Sequence, residues 1–403
     1  MTHIVLYTDR SDIYGVEQCN HILAKAFADV GYQTTVVQPV ADHHLIDERE
    51  VLGIHHRWLE PDDLYDLSVP ARMLTDFEEP HRILAAESPD LILFSDSCPF
   101  ANLKAKQVAI DLDIPYLVVV HCVNSAWAED YAVWLPELPE IYTHAQAVIS
   151  VSQANLDLLN GMFGLPLDRG TVIYNGRPPE FFKRPDLITR QHIRAELGIP
   201  ADATVCLTIA RLEPSKGYQF QIDALLELRK TPYWEKLHFV WVGSGFMADR
   251  LAGLIDLHHL ANKVRILGSR QDVPDLFDCA DVFVLPSQFE GMPLTVMEAM
   301  AKRLPVVATA VSGTPEAIHN SGFLLPDPIW GPISPVLART IRWLAESEQL
   351  RREMGESAHK RAEQYFRLDT MVNNYLTLVA ALFARRKSAQ QMLGESHHAV
   401  NSS

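Results

Sequence analysis

The sequence predicts an α/β fold of two doubly wound parallel sheets, and three observations carry that prediction. Short apolar, β-branched runs alternate with longer amphipathic stretches along the whole chain, the pattern of parallel strands joined by crossover helices. The alternation comes in two series, separated by the turn-rich Asn175-Gly176-Arg177-Pro178-Pro179 and a polar stretch reaching Pro200. At 403 residues, 48% of them hydrophobic, the chain is long for one core and comfortable for two.

The first series reads as strands at residues 4–7, 34–38, 91–94, 116–120, 148–151 and 172–174, with helices at 17–30 and 155–163 among them. Ser152 suits the N-cap of the second helix. The other series reads as strands at 205–209, 239–242, 265–267, 282–285, 306–308 and 323–325. From 336 to about 386 the pattern is helical, and the polar residues beyond are expected to fray as a disordered tail over 387–403. No repeat at solenoid spacing occurs.

A net charge of -16 and a pI near 5.5 repel nucleic acid and anionic headgroups over most of the surface, so no nucleic-acid partner is expected. The acidity gathers in the first half, at Asp47, Glu48, Glu50, Asp62, Asp63, Asp66, Asp76, Glu78 and Glu79, and reads as a solvated face. Cations such as Arg211, Lys216, Arg265 and Arg270 lie in the second half. No apolar run approaches the roughly 20 residues that span a bilayer. The first strand-like run, residues 3–7, has no basic or apolar leader before it, and a cytoplasmic location is the expectation. Five scattered cysteines without a Cys-x-x-Cys pair argue against a disulfide framework and a zinc site; they are expected to be reduced and mostly buried. The pairs His43-His44 and His55-His56 are adjacent rather than four apart, so no metal site is expected there.

Glu290-Gly291-Met292-Pro293-Leu294-Thr295-Val296-Met297-Glu298, directly after the apolar run 282–285, is the richest stretch. It reads as strand, tight loop and helix, with a carboxylate at either end. Gly291 frees the backbone, Pro293 suits the first helical turn, and the amides of such a helix start attract an anion. Val296, Met297, Met300 and Leu304 fall at helical spacing as the buried stripe, which leaves Glu298 angled away from it and able to face a ligand. A loop acid and a solvated helix acid are the plainer alternatives.

Ligands of open α/β sheets bind beyond the C-terminal strand edges, so residues following apolar runs are candidates. Arg211 and Lys216 share the loop after residues 205–209 and could hold a diphosphate, including the charge it gains on leaving. Gly243 follows 239–242 in a Gly-Ser-Gly turn. Arg270 follows 265–267, where it could lie beside a base or simply pair with Asp272. In the first half, Gly15 could approach a phosphate or sugar, His121 emerges after 116–120 within reach of a bound sugar, and Asp9 could meet an acceptor hydroxyl. A turn glycine and a satisfied structural histidine are the bland readings of the first two.

Together these residues resemble a retaining glycosyltransferase of family 4, with its GT-B fold of two Rossmann-like domains. Glu290 to Glu298 is similar to that family's E-x7-E signature, and Arg211 and Lys216 match its paired cations. Residues 280–287 match the strand leading to the signature, 313–317 the following turn, 172–176 the interdomain junction, and 366–371 the return crossing. One departure is visible: a glycine pair is common in the family's first loop, whereas Gly15 stands alone between Tyr14 and Val16.

The resemblance implies an acceptor-binding domain over 1–178 plus about 366–386, and a nucleotide-sugar-binding domain over 179–365. It implies that Glu290 holds hydroxyls of the transferred sugar and Glu298 the ribose. The diphosphate falls to Arg211, Lys216 and the amides of Gly291 to Leu294, and Met292, Pro293 and Thr295 count with them among the donor-binding residues. His121 sits by the donor sugar. No metal or other cofactor is expected; the donor is expected to be a UDP-sugar on family frequency, and the acceptor a sugar, polyol or lipid-linked hydroxyl. The acidic N-terminal half does not indicate membrane association, although a small patch would suffice for it. The rival readings are a sugar-nucleotide epimerase or phosphorylase of the same architecture and a non-catalytic nucleotide-sugar-binding protein. A dinucleotide oxidoreductase is set aside because Gly243-Ser244-Gly245 continues as Phe246-Met247-Ala248, without the Gly-x-Gly-x-x-Gly fingerprint.

Overall fold

The structure, a computed structural model, describes residues 1–60 and 69–400, with side chains through residue 388. Asp62, Asp63 and Asp66 of the acidic stretch, and residues 401–403 of the expected tail, lie outside the described residues. The chain divides into two compact units. Unit 1 comprises Met1–Val151, Asn155–Tyr174 and Asp369–Ser403; unit 2 comprises Ser152–Ala154 and Asn175–Leu368.

Unit 1 is built on a seven-stranded, wholly parallel sheet. Its strands are β1 (His3–Thr8), β2 (Gln33–Pro39), β3 (His55–Leu59), β4 (Leu91–Asp96), β5 (Tyr116–Val120), β6 (Ala147–Ser150) and β7 (Gly170–Val172), in the order β3-β2-β1-β4-β5-β6-β7. The central strands β1, β4 and β5 are buried along their whole length, which is why they read as continuous apolar runs. Strand β3 was not anticipated. Its sequence, His-His-Arg-Trp-Leu, is polar and mostly exposed because it is an edge strand, and it is specified by its register on β2, from Thr35 opposite His55 to Pro39 opposite Leu59. The last strand lies two residues earlier than the 172–174 reading.

Unit 2 carries a six-stranded parallel sheet of β8 (Thr204–Ile209), β9 (Leu237–Val242), β10 (Val264–Ile266), β11 (Val282–Leu285), β12 (Val306–Thr309) and β13 (Phe323–Leu325), ordered β10-β9-β8-β11-β12-β13. All six strands were legible as apolar runs. In each sheet the winding reverses once, between β1 and β4 in unit 1 and between β8 and β11 in unit 2, and such switch points open a crevice at the C-terminal strand ends.

Helices Ile333–Glu346 and Glu348–Tyr365 close unit 2, the second capped by the Ser347 hydroxyl, which accepts from the amide of Leu350 at 3.1 Å. The final helix runs from Leu368 to Val400, so the segment expected to fray after Lys387 continues a helix instead. Buried Tyr375, Val379 and Leu382 seat it on unit 1, where Phe383 meets the ring of Tyr32 at 5.8 Å and Arg386 donates to the carbonyl of Asp90 at 3.0 Å. Among the described residues, no helix is long and apolar enough to cross a membrane.

Candidate active site

In unit 2 the loops leaving β8, β9, β10 and β11 are tied to one another by main-chain bonds. Leu212 N–H donates to the carbonyl of Ser244 at 2.8 Å, Gly243 N–H to Gly268 at 2.8 Å, and Gln288 N–H to Ser215 at 2.7 Å. Two glycines make this approach possible. Gly217 has φ of +74°, and a Cβ there would lie 1.9 Å from the carbonyl oxygen of Pro286; Gly243 has φ of +143°, and its Cβ would lie 2.1 Å from that of Ala210.

Across the switch point between β8 and β11 the ammonium of Lys216 meets Oε1 of Glu290 at 2.7 Å. The Ser287 hydroxyl donates to the same oxygen at 2.7 Å, and the Glu290 amide reaches the Ser312 hydroxyl at 3.4 Å. Lys216 and Glu290 are largely buried but keep a solvent-facing margin. Arg211, on the same loop as Lys216, bonds Glu213 at 2.6 Å. Arg270 grips Asp272 through two bonds of 2.8 and 2.7 Å and reaches Glu196 at 2.9 Å.

The signature helix spans Leu294–Ala301. Pro293 is its N-cap, with φ -70° and ψ 114°, rather than a residue of its first turn. Gly291, Met292 and Pro293 are buried, Leu294 and Thr295 half-buried, and the Gly291 carbonyl accepts from the amide of Gly313 at 3.0 Å. Val296, Met297 and Met300 form the buried stripe as read.

Glu298 lies off that stripe, and it is not the solvated helix acid of the plainer alternative. It is 4% exposed, and its Oε1 lies 2.5 Å from the guanidinium of Arg177. The helix is packed on all sides, so a position off the apolar stripe is buried too, and a buried carboxylate needs a partner. Desolvation raises the Glu298 pKa and Arg177 opposes the rise. Sequence reasoning missed Arg177, whose setting in a turn-rich junction gave no sign of a partner 121 positions further along the chain.

Unit 1 holds the remaining candidates on the segments that follow β1 and β5. Asp9 accepts from the amide of Ser97 at 2.9 Å and from the Ser97 hydroxyl, and Arg10 lies 3.4 Å from it. His121 is buried, its Nε2 paired with the Ser95 hydroxyl at 3.0 Å, its amide donating to the carbonyl of Asp96 at 2.9 Å. Burial lowers its pKa to about 4, and the nearby Asp9 carboxylate only partly offsets that, so the imidazole is neutral near pH 7. Gly15 is the first residue of helix Gly15–Asp29, N-capped by Tyr14. Buried ion pairs in this unit escaped the sequence reading, among them Glu17 with Arg49 at 2.8 Å and Asp96 with Lys106 at 2.6 Å. Among the described residues, no group of three or more His, Cys, Asp or Glu is arranged to hold a metal ion.

Two doubly wound parallel units, the second with a carboxylate-cation pair at its switch point and a glycine-led helix start beside it, define a GT-B protein. The description "Glycosyltransferase Family 4" matches residues 13–181, and "Glycosyl transferases group 1" matches residues 189–361. The chain belongs to the family 4 glycosyltransferases. It is 28% identical over 258 residues to an uncharacterized glycosyltransferase of Methanocaldococcus jannaschii, covering 62% of this chain and 64% of that protein. It is 33% identical over 191 residues to the D-inositol 3-phosphate glycosyltransferase of Kineococcus radiotolerans, covering 43% of each. The match thus spans roughly half of these curated relatives' lengths, between 43% and 64%. Among solved structures, Anabaena HepE in complex with UDP-glucose superposes with a TM-score of 0.78 at 22% identity, covering 94% of this chain and 100% of that one, a likeness of fold.

Proposed function

We propose that this protein is a retaining, metal-independent glycosyltransferase that moves a sugar from a nucleotide-sugar donor, a UDP-sugar, to a hydroxyl of a sugar, polyol or lipid-linked acceptor. The observation that carries the reading is the Lys216–Glu290 pair at the β8/β11 switch point, next to the start of helix Leu294–Ala301. The pair combines an acceptor for sugar hydroxyls with a cation for phosphate, and the adjoining helix start adds amide dipoles. The UDP-glucose bound by Anabaena HepE, a fold relative, supports the choice of donor class.

In this reading Glu290 holds hydroxyls of the transferred sugar and Glu298 the ribose. Lys216, Arg211 and the amides around Gly291 to Thr295 take the diphosphate, with Gly243 and Arg270 lining the nucleotide side. Gly15 is assigned a phosphate or sugar contact, neutral His121 a hydrogen bond to a sugar, and Asp9 an acceptor hydroxyl. The bond from the anomeric carbon to the β-phosphate oxygen breaks while the acceptor oxygen bonds that carbon on the same face. The leaving phosphate oxygen takes the acceptor proton, giving nucleoside diphosphate and glycoside. Glu290 stabilises and does not attack, and the cations take up the charge that grows on the leaving group, the part a metal plays elsewhere.

A thermal-shift panel of UDP-, GDP- and ADP-sugars on the wild type and on Glu290→Ala tests this. Stabilisation by one nucleotide class is expected, kept for the free nucleotide but weakened for its sugar in the variant. No stabilisation by any nucleotide sugar overturns the reading, and loss of turnover in EDTA overturns its metal independence.

A further inference from the structure

We infer that Arg177 is a positioning residue for Glu298, fixing the carboxylate that meets the nucleotide ribose. The inference rests on the donor-site reading above and names a residue that reading does not contain. Arg177 belongs to the short segment by which the chain enters unit 2, and its main chain pairs with the segment by which it leaves: Arg177 N–H donates to the carbonyl of Phe366 at 2.8 Å, and Leu368 N–H to that of Arg177 at 3.0 Å. Gly176 makes the crossing possible, since a Cβ there would lie 2.6 Å from the Cα of Leu368. With the backbone so fixed, the guanidinium has little freedom. It lies 5.4 Å from the ring centroid of Phe181 and 2.5 Å from Oε1 of Glu298, with both side chains in the ion pair at least nine-tenths buried.

That geometry does two things for a ribose-binding carboxylate. It holds one oxygen in place, which orients the other, and it supplies the opposite charge that keeps a desolvated carboxyl ionised and therefore a hydrogen-bond acceptor. Without Arg177 the buried Glu298 takes up a proton and loses its grip on a diol, while diphosphate contacts made by other residues persist.

The test compares binding of UDP and 2′,3′-dideoxy-UDP by calorimetry to the wild type, Arg177→Gln, Glu298→Gln and the double variant. The wild type is expected to prefer UDP at least about tenfold. Either single variant should lose most of that preference while binding the dideoxy nucleotide nearly unchanged, and the double variant should lose no more than one change does. Arg177→Lys keeps the charge but not the fork, and should retain an intermediate preference; if Arg177→Gln fails to fold, this variant decides by the same ratio. A wild type that binds both nucleotides equally overturns the ribose reading and this inference with it. A wild type that discriminates, together with Arg177 variants that discriminate just as well or weaken both nucleotides alike, overturns the positioning role alone.

Discussion

Lys216 and Glu290 stand 74 residues apart in the chain, yet their charged ends meet at 2.7 Å where the unit 2 sheet reverses its winding. Each side chain restrains the other. A ligand entering here meets an oriented carboxylate and an oriented ammonium, so little reorganisation is needed on binding. Glu290→Gln is expected to lower kcat by roughly 10²–10³-fold, the usual cost of removing one transition-state contact, with affinity for free nucleotide nearly kept. Lys216→Met should weaken both. Steady-state turnover and nucleotide titration check this, and a Glu290→Gln enzyme with near wild-type kcat would remove Glu290 from the chemistry.

Gly217 and Gly253 make a matched pair for testing which glycines the fold requires. At Gly217 both the positive φ and the Pro286 carbonyl forbid a side chain, so Gly217→Ala should destabilise by about 2 kcal/mol or more and disturb the loop carrying Lys216. Gly253 lies inside helix Ala248–Leu257, with nothing within 4 Å of an added Cβ. Gly253→Ala should therefore stabilise by about 0.5–1 kcal/mol. Urea denaturation measures both, and equal effects would mean that the Gly217 loop is not held against Pro286.

These contrasts mark what the sequence makes legible. Parallel strands buried on both faces have no choice but to be apolar, so β8, β9, β11 and β12 announce themselves, and the loops after them follow as candidates. Edge strand β3 is bound only by its register on β2 and carries no such signal. The signature stretch was legible as well, because a glycine-led turn into a helix has a local pattern. Partnership was not. The bonds of Glu290 to Ser287 and of Arg270 to Asp272 are near in sequence, but that of Glu298 to Arg177 depends on a chain crossing that no periodicity encodes.

Thiol chemistry separates the five cysteines. Cys19, Cys98, Cys206 and Cys279 are buried, and Cys122 alone is half-exposed. Desolvation pushes the Cys98 thiol up to about 12 and the Cys279 thiol to about 11, which leaves little thiolate near pH 8. Brief iodoacetamide treatment of the native protein should modify Cys122 first, with the others reacting only after unfolding. Peptide mapping by mass spectrometry checks this, and early labelling of Cys98 would show that the β4 loop opens to solvent.

His121 links the candidate site of unit 1 to acid stability. Its folded pKa of about 4 lies below the ordinary value of 6.5 because the ring is buried, so between those pH values the unfolded chain binds the extra proton and the folded one does not. The stabilising contribution is complete above pH 6.5 and is lost as the pH falls toward 4, by about 3 kcal/mol. Denaturation of the wild type at pH 7 and pH 4 should reveal a loss from which His121→Asn is spared by about that amount. The same neutrality fixes how the side chain can act: as an uncharged hydrogen-bonding group beside Ser95 and not as a titrating acid or base. The pH profile of kcat/KM should accordingly show no break assignable to His121 between pH 5 and 8, and a break near 6.5 that disappears in His121→Asn would mean that the imidazole is solvated and charged in the working enzyme.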